Sequence, residues 1–506
     1  ALVALCDWYY VFYCGILTAV VLAWAMISQL APARAHFTSA AGASPTLTPP
    51  LLAAARRGAQ GVRLTLAVAG AWLALLVLFS PLLVPMVREA RQFDFMVPDA
   101  EQSRTLSADL LAFITPQEFH PLWGAWARER GQVFKSTVSE HQVFAGFSVL
   151  ILALIGLFAR GKPRFQGTRA KGLWAAVLAV FFILSLGPVL HIGGRTALLP
   201  GGGEIPLPYG LLAGLPFVDI MRSVSRLDVM VMLALGMLAA AGVAALAGGR
   251  AGRWMPVVAV ALIVFEFLPA PYPMSPPDTP SWYATLAADN RTGSVLNLPV
   301  NWDRPGYLLY QTVHGKPLAA AYISREDPRT LIERAPVLQH FRHLGPDIIN
   351  LDLAAQGQQV LADLDVRWVV LDRYKMPGGE ERAYTEAATA EIFGDQPPVY
   401  EDERIAVYEV VARGPRQPYL VLAPGWGPFD AATRTRSFTD RATVRVIAPQ
   451  SGRATLSVIL APGSGPLAAG SPIELTLETG ENAVTLEAAG NAPVVVERLN
   501  LVSIPD

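Results

Sequence analysis

Arg222 and Arg226 stand four residues apart, just before an apolar run that begins at Val229. On a helix that spacing puts both side chains on one face. Two planar guanidiniums at a membrane surface can grip a phosphate through paired, charge-assisted hydrogen bonds. The plainer reading is that both snorkel to lipid headgroups. Asp109 follows Ser107 at helix-start spacing, so it either caps a short helix or lines a cavity at the membrane surface. His120, beside Trp123 and Trp126, is either part of an interfacial aromatic belt or a substrate contact. Asp7, at the outer edge of the first apolar segment, is either interfacial or cavity-facing. Asp94 and Asp99 read as solvated loop charges. His340 and His343 have the i, i+3 spacing of a metal pair, but no third ligand stands near them in sequence, which favours surface or capping roles. Gly201, Gly202 and Gly203 follow no strand and so do not form a phosphate cradle. The chain holds no Walker loop, no Gly-x-Ser-x-Gly and no Cys-x-x-Cys.

The elements that must position these groups are mostly membrane spans. Of the 506 residues 52% are hydrophobic and only 16% charged, against about 25% charged in soluble domains. The net charge of −1 lacks the basic footprint of a nucleic-acid partner. A bilayer core of about 30 Å needs roughly 20 apolar residues as helix. Six segments meet or approach that: 7–34, 64–86, 142–159, 173–193, 229–249 and 254–274. The last is the weakest, because Glu266 interrupts it. The sequence therefore predicts a polytopic α-helical bundle over 1–274. Cys6 and Cys14 both lie in the first segment, about 12 Å apart along a helix and too far for a disulfide.

Orientation follows from the basic residues of the loops. Arg34, Arg56, Arg57 and Arg63 follow the first segment with no acid among them. Arg160, Lys162, Arg164, Arg169 and Lys171 follow the third, and Arg250 and Arg253 follow the fifth. These loops belong on the cytoplasmic side. Loops 87–141 and 194–227, and everything past 274, then lie outside. Loop 87–141 is too long for a mere connection. The apolar, proline-broken stretch 205–217 is too short to cross and fits an interfacial or re-entrant helix.

Six prolines between Pro269 and Pro280 form a stiff connector out of the membrane. Residues 275–414 then read as an α/β domain. Buried strands are expected at 294–300 and 366–372, helices at 331–344, 356–364 and 380–393, and a hairpin over 399–411 that turns at 401–404. Over 415–506 apolar and polar residues alternate at 442–447, 454–460, 473–477, 483–487 and 494–501, punctuated by turn residues, as in a β-sandwich.

Several stretches carry a family likeness. Cys6-Asp-Trp-Tyr-Tyr10 enters a span, and a long outer loop holds Asp109-Leu-Leu-Ala-Phe113 and His120-Pro-Leu-Trp-Gly124. Leu215-Pro-Phe217 and Arg222-Ser-Val-Ser-Arg226 then precede another span, and a soluble outer domain follows. Over most of residues 1–415 the chain resembles the C-terminal two thirds of bacterial GT-C-type integral membrane glycosyltransferases. The resemblance implies transfer of a sugar from a polyprenyl-phosphate carrier to a glycan or protein acceptor, outside the bacterial inner membrane. It implies no fixed cofactor, since a divalent metal serves some members and not others. Arg222, Arg226, Asp109, His120 and Asp7 are the candidate substrate-binding residues. The catalytic acid of such enzymes lies in the first outer loop, which here precedes residue 1, so the chain is expected to be the later part of a longer protein. The competing class is a transport or envelope-assembly protein whose outer domain binds glycan or protein. Against a transporter, the apolar segments hold few ionisable residues and show no inverted repeat. A degenerate scaffold of the same fold is a third reading.

Overall fold

The computed structural model describes residues 8–39, 49–93, 95–97, 100–159, 168–215, 218–248, 252–301, 304–323, 327–412 and 414–504. Asp7, Asp94 and Asp99 lie outside them, as do the side chains of the basic residues at 34, 56–57, 160–169 and 250. The chain divides into two compact units, Ala1–Met274 and Ser275–Asp506, and the division falls within the proline-rich connector.

In the first unit three helices are long and apolar enough to cross a membrane: Trp8–Ser28, Gly61–Gln92 and Val224–Leu246. At a rise of about 1.5 Å per residue each spans the roughly 30 Å hydrocarbon core. They mark the chain as membrane-associated. Leu66, Leu73, Val77 and Leu78 on the second are exposed, as expected of a face turned to lipid. Three further apolar helices, Phe147–Phe158, Ala170–Ser185 and Met255–Glu266, are shorter than a full crossing. Their ends have local causes. Gly187, Gly193 and Gly194 adopt positive φ (79°, 59° and 76°), turning the chain into a small hairpin where Val189 bridges Pro206 and Ala197 bridges Glu204. The apolarity of 186–193 therefore belongs to a loop, although the sequence placed it in a span. Met255–Glu266 stops just short of Pro269 and Pro271.

The helix Asp228–Leu246 is the centre of this unit. It buries Met230, Val231, Ala234, Leu235, Leu238, Ala239, Ala241 and Gly242, a stripe at three- and four-residue spacing. Its closest neighbour is Phe147–Phe158. A Cβ on Gly156 would lie 2.0 Å from the Leu238 carbonyl oxygen, and one on Gly242 would lie 2.0 Å from that of Leu152. Only glycine permits so close an approach of two backbones. Glu266 is likewise explained: its carboxylate accepts the Ser148 N–H at 2.9 Å and the Ser148 hydroxyl at 2.8 Å. It thus caps the first turn of Phe147–Phe158, where backbone donors have no partner inside the helix.

The second unit opens with strands β1 (Ser294–Leu298), β2 (Val366–Asp372), β3 (Tyr400–Glu401) and β4 (Ile405–Glu409), in the order β1-β2-β4-β3. β1 and β2 run parallel, and β4 returns antiparallel to β2. Both parallel strands are almost wholly buried, which explains their unbroken apolar runs. The helix expected over 331–344 is two helices, Leu331–Arg334 and Pro336–His343, because Pro336 pushes Ala335 out of the helical region. The remainder is a sandwich built from β5 (Tyr419–Leu422), β6 (Arg436–Phe438), β7 (Arg441–Ala448), β8 (Gly452–Leu460), β9 (Ile473–Leu477), β10 (Gly480–Glu487) and β11 (Val494–Ile504). Its sheets run β10-β7-β5 and β6-β11-β8-β9 and enclose Val444, Val446, Leu456, Leu486, Val496 and Leu499. The segment Ile348–Asn350 runs beside β11, with hydrogen bonds from the Leu499 N–H to the Ile348 oxygen and from the Asn350 N–H to the Leu499 oxygen.

Candidate functional site

The long loop after residue 92 meets the turn that starts the central helix. Met221, Arg222 and Ser223 have no regular structure, and a 3-10 turn begins only at Val224. Arg222 and Arg226 therefore do not share a helix face, contrary to what their spacing suggested. The Ser225 N–H is held by the Leu106 oxygen at 3.0 Å, which ties this turn to the long loop.

Arg226 is engaged by a residue that sequence reasoning overlooked. Its Nη2 donates to Glu140 Oε1 at 2.6 Å and its Nε to Oε2 at 3.4 Å, while the Ser225 hydroxyl donates to Oε2 at 3.0 Å. The Glu140 side chain is buried and that of Arg226 half exposed. Burial alone would raise the Glu140 pKa, but the hydrogen bond and charge of Arg226, with help from Ser225, hold it below the usual carboxylate value. Tyr9 and Tyr13, on the first helix, lie within electrostatic range of Arg226. Arg222 differs. It is half-buried, and among the described residues it makes no hydrogen bond or ion pair. A guanidinium has five donors and cannot shed its charge, so a half-buried one without a partner is a ready anion site.

The other two described candidates are structural. Asp109 is buried at the start of the 3-10 helix Leu110–Ile114, where its carboxylate accepts the Leu111 N–H at 2.9 Å. It also accepts the N–H of Gly193 at 3.0 Å and of Gly194 at 2.7 Å. Three backbone donors occupy the group, so it pins the loop to the hairpin and does not face a cavity as a free acid. His120 is buried and stacks on Trp123, their ring centroids 4.1 Å apart. Its Nε2 lies 2.8 Å from the Phe265 oxygen, and its Nδ1 accepts the Leu122 N–H at 3.1 Å. Those contacts assign the neutral tautomer with the proton on Nε2 and use both nitrogens. His120 therefore locks the loop to the last apolar helix and has no nitrogen left for a substrate. Asp7 lies outside the described residues.

In the second unit His340 and His343 do not converge on a common point. His340 Nδ1 meets the Tyr384 hydroxyl at 2.7 Å, and His343 Nε2 faces Asp347 at 3.3 Å. Among the described residues no three His, Cys, Asp or Glu side chains are grouped so as to hold a metal ion. The charges gather elsewhere. Arg436 donates from Nε and Nη2 to Asp347 at 2.7–3.0 Å and from Nη2 to Glu333 at 2.8 Å, with the Arg436 and Asp347 side chains at most 1% exposed. Arg404 likewise joins Asp372, Asp278 and the Tyr310 hydroxyl at the ends of β2 and β4. The Arg436–Asp347 pair is sealed from solvent, whereas the Arg404 network opens to it through Asp278, 61% exposed.

No family model, curated protein or solved structure matches the chain significantly.

Proposed function

We propose that this chain belongs to a membrane glycosyltransferase of GT-C type, which moves a sugar from a polyprenyl-phosphate carrier to an acceptor outside the bacterial inner membrane. The observation that carries the reading is Arg222: a half-buried guanidinium without a partner among the described residues, at the entrance of an apolar helix long enough to cross a bilayer. A lipid-linked sugar must leave its phosphate at that depth, where an unpaired anion is costly. Arg222 is the donor-phosphate ligand in this reading, and the Glu140–Arg226 pair fixes the turn that presents it. The three shorter apolar helices complete a six-segment bundle by lying partly in the headgroup region. The basic loops then face the cytoplasm and Ser275–Asp506 faces outward.

The test is turnover of a polyprenyl-phosphate-linked sugar by membranes holding the protein. Arg222→Lys keeps the charge but loses the planar fork, and should cut donor use about tenfold or more, roughly one charge-assisted hydrogen bond. Arg226→Lys should cut it less, because that guanidinium already serves Glu140. Equal turnover by the Arg222→Lys variant and the parent would leave Arg222 as a headgroup anchor and remove the support for this reading.

A further inference from the structure

A second place in the first unit has the chemistry of a binding site, and it involves neither Arg222 nor Arg226. The loop between the helices Pro49–Gln92 and Phe147–Phe158 folds around a cavity of about 400 Å³. Ligand pockets run from roughly 300 to 1,000 Å³, so the space suits a compact molecule of one or two rings. Glu118, Arg128, Gln132, Ser136, His141 and Gln142 are on its wall.

Their hydrogen-bonding capacity is largely unspent inside the protein. The side-chain amides of Gln132 and Gln142 make no hydrogen bond among the described residues. Glu118 has only a loose ion pair, its Oε2 lying 3.8 Å from Arg128 Nε. His141 is buried, with its Nδ1 3.2 Å from the Ser136 carbonyl oxygen. That contact puts the proton on Nδ1 and leaves Nε2 an acceptor. Nε2 lies on the Gly131 side of the ring, where a Cβ on Gly131 would come within 3.3 Å of it. Gly131 is itself part of the wall.

We propose that this cavity binds the hydroxyls of a neutral saccharide. Each sugar hydroxyl both donates and accepts, and so does each glutamine amide. The carboxylate and guanidinium offset one another in charge while supplying the two ends of a vicinal diol with an acceptor and a donor. An anion would meet Glu118, a cation would meet Arg128, and an apolar ligand would strip water from all six groups without replacing it. The proposal does not rest on sugar transfer: a saccharide site here serves a transferase acceptor and a glycan-binding assembly protein alike.

The test uses the full chain in a detergent without a sugar headgroup and saturation-transfer NMR. The probes are the methyl glycosides of glucose, mannose and galactose, with trialanine and inorganic phosphate for comparison. At least one glycoside should receive saturation, and trialanine and phosphate should receive none. Gln132→Ala should weaken that glycoside about fivefold, the loss of one neutral hydrogen bond, and Glu118→Gln should weaken it by a similar factor, because an amide oxygen accepts less strongly than a carboxylate, with the thermal transition unchanged in both. Glu118→Gln keeps the shape of the wall should Gln132→Ala disturb folding. Saturation of no glycoside, of trialanine or phosphate instead, or of a glycoside indifferent to both variants would overturn the assignment. Polyprenyl phosphate lacking a sugar should leave the glycoside signal unchanged. Displacement by that lipid would make the cavity part of a lipid-phosphate site and would equally overturn it, whatever the Arg222 variants do in turnover.

Discussion

Arg436 and Arg226 meet buried carboxylates in their respective units, and the two pairs are built for different ends. Arg436 is sealed: its donors go to Asp347, to Glu333 and to the Gly427 carbonyl, and neither it nor Asp347 touches solvent appreciably. Arg226 is half open, and only its Glu140 partner is buried. A sealed pair has no capacity left and can only stabilise or specify the fold. An open pair four residues from Arg222, which has no partner among the described residues, leaves charge and donors at the start of an apolar helix. The difference shows how to separate structural arginines from ligand-binding ones: by counting which donors already have partners.

The sealed pair is the costlier of the two to break. Asp347→Ala leaves a buried guanidinium short of its main partner and should destabilise the second unit by about 3–5 kcal/mol. Glu140→Gln, at the open pair, should cost the first unit about 1 kcal/mol or less, because water can replace much of what Arg226 loses. Denaturant unfolding of 275–506 and thermal unfolding of the full chain in detergent measure the two. Similar losses at both sites would remove the distinction.

The second unit also carries a pH response of its own. His314 and His340 in the second unit are buried, and desolvation lowers each pKa to about 4. In the unfolded chain an imidazole binds its proton near pH 6.5. Between those values the unfolded state holds more protons, so stability is full above about pH 6.5 and falls as the pH drops toward 4. Each histidine contributes up to about 3 kcal/mol to that loss. A His314→Asn, His340→Gln double variant should therefore show a flatter dependence of its unfolding midpoint over this range, and an unchanged slope would show that other groups cause it.

The second unit was largely legible in sequence because its cues are local. The apolar run of β2, the alternation of β9 and the turn between β3 and β4 stand where the pattern put them. The helix read over 331–344 failed because it ignored Pro336, and the helices Trp282–Ala287 and Gly306–His314 were not read at all. In the first unit the apolar segments were legible, but their ends were not. Apolarity continues through Leu190 and Ile192 while the glycines around them turn the chain. The site depended on long-range partners. Asp109 could be read as a cap from its spacing to Ser107, but Gly193 and Gly194, its other donors, are more than eighty residues away. Glu140 left no local signal at all, since its partner is 86 residues distant. Glu266 left one: a charge inside an apolar segment, which the structure explains as a cap on another helix.

Binding shows whether Arg222 is kept free for a lipid phosphate. The purified chain is titrated with a polyprenyl phosphate and, in parallel, with the corresponding uncharged polyprenol. Both lipids should partition onto the apolar helices, but the phosphate should bind about tenfold tighter, and that advantage should largely disappear in Arg222→Lys while surviving in Arg226→Lys. Equal binding of the two lipids by the parent chain, or an advantage that Arg222→Lys retains in full, would show that Arg222 does not hold a lipid phosphate.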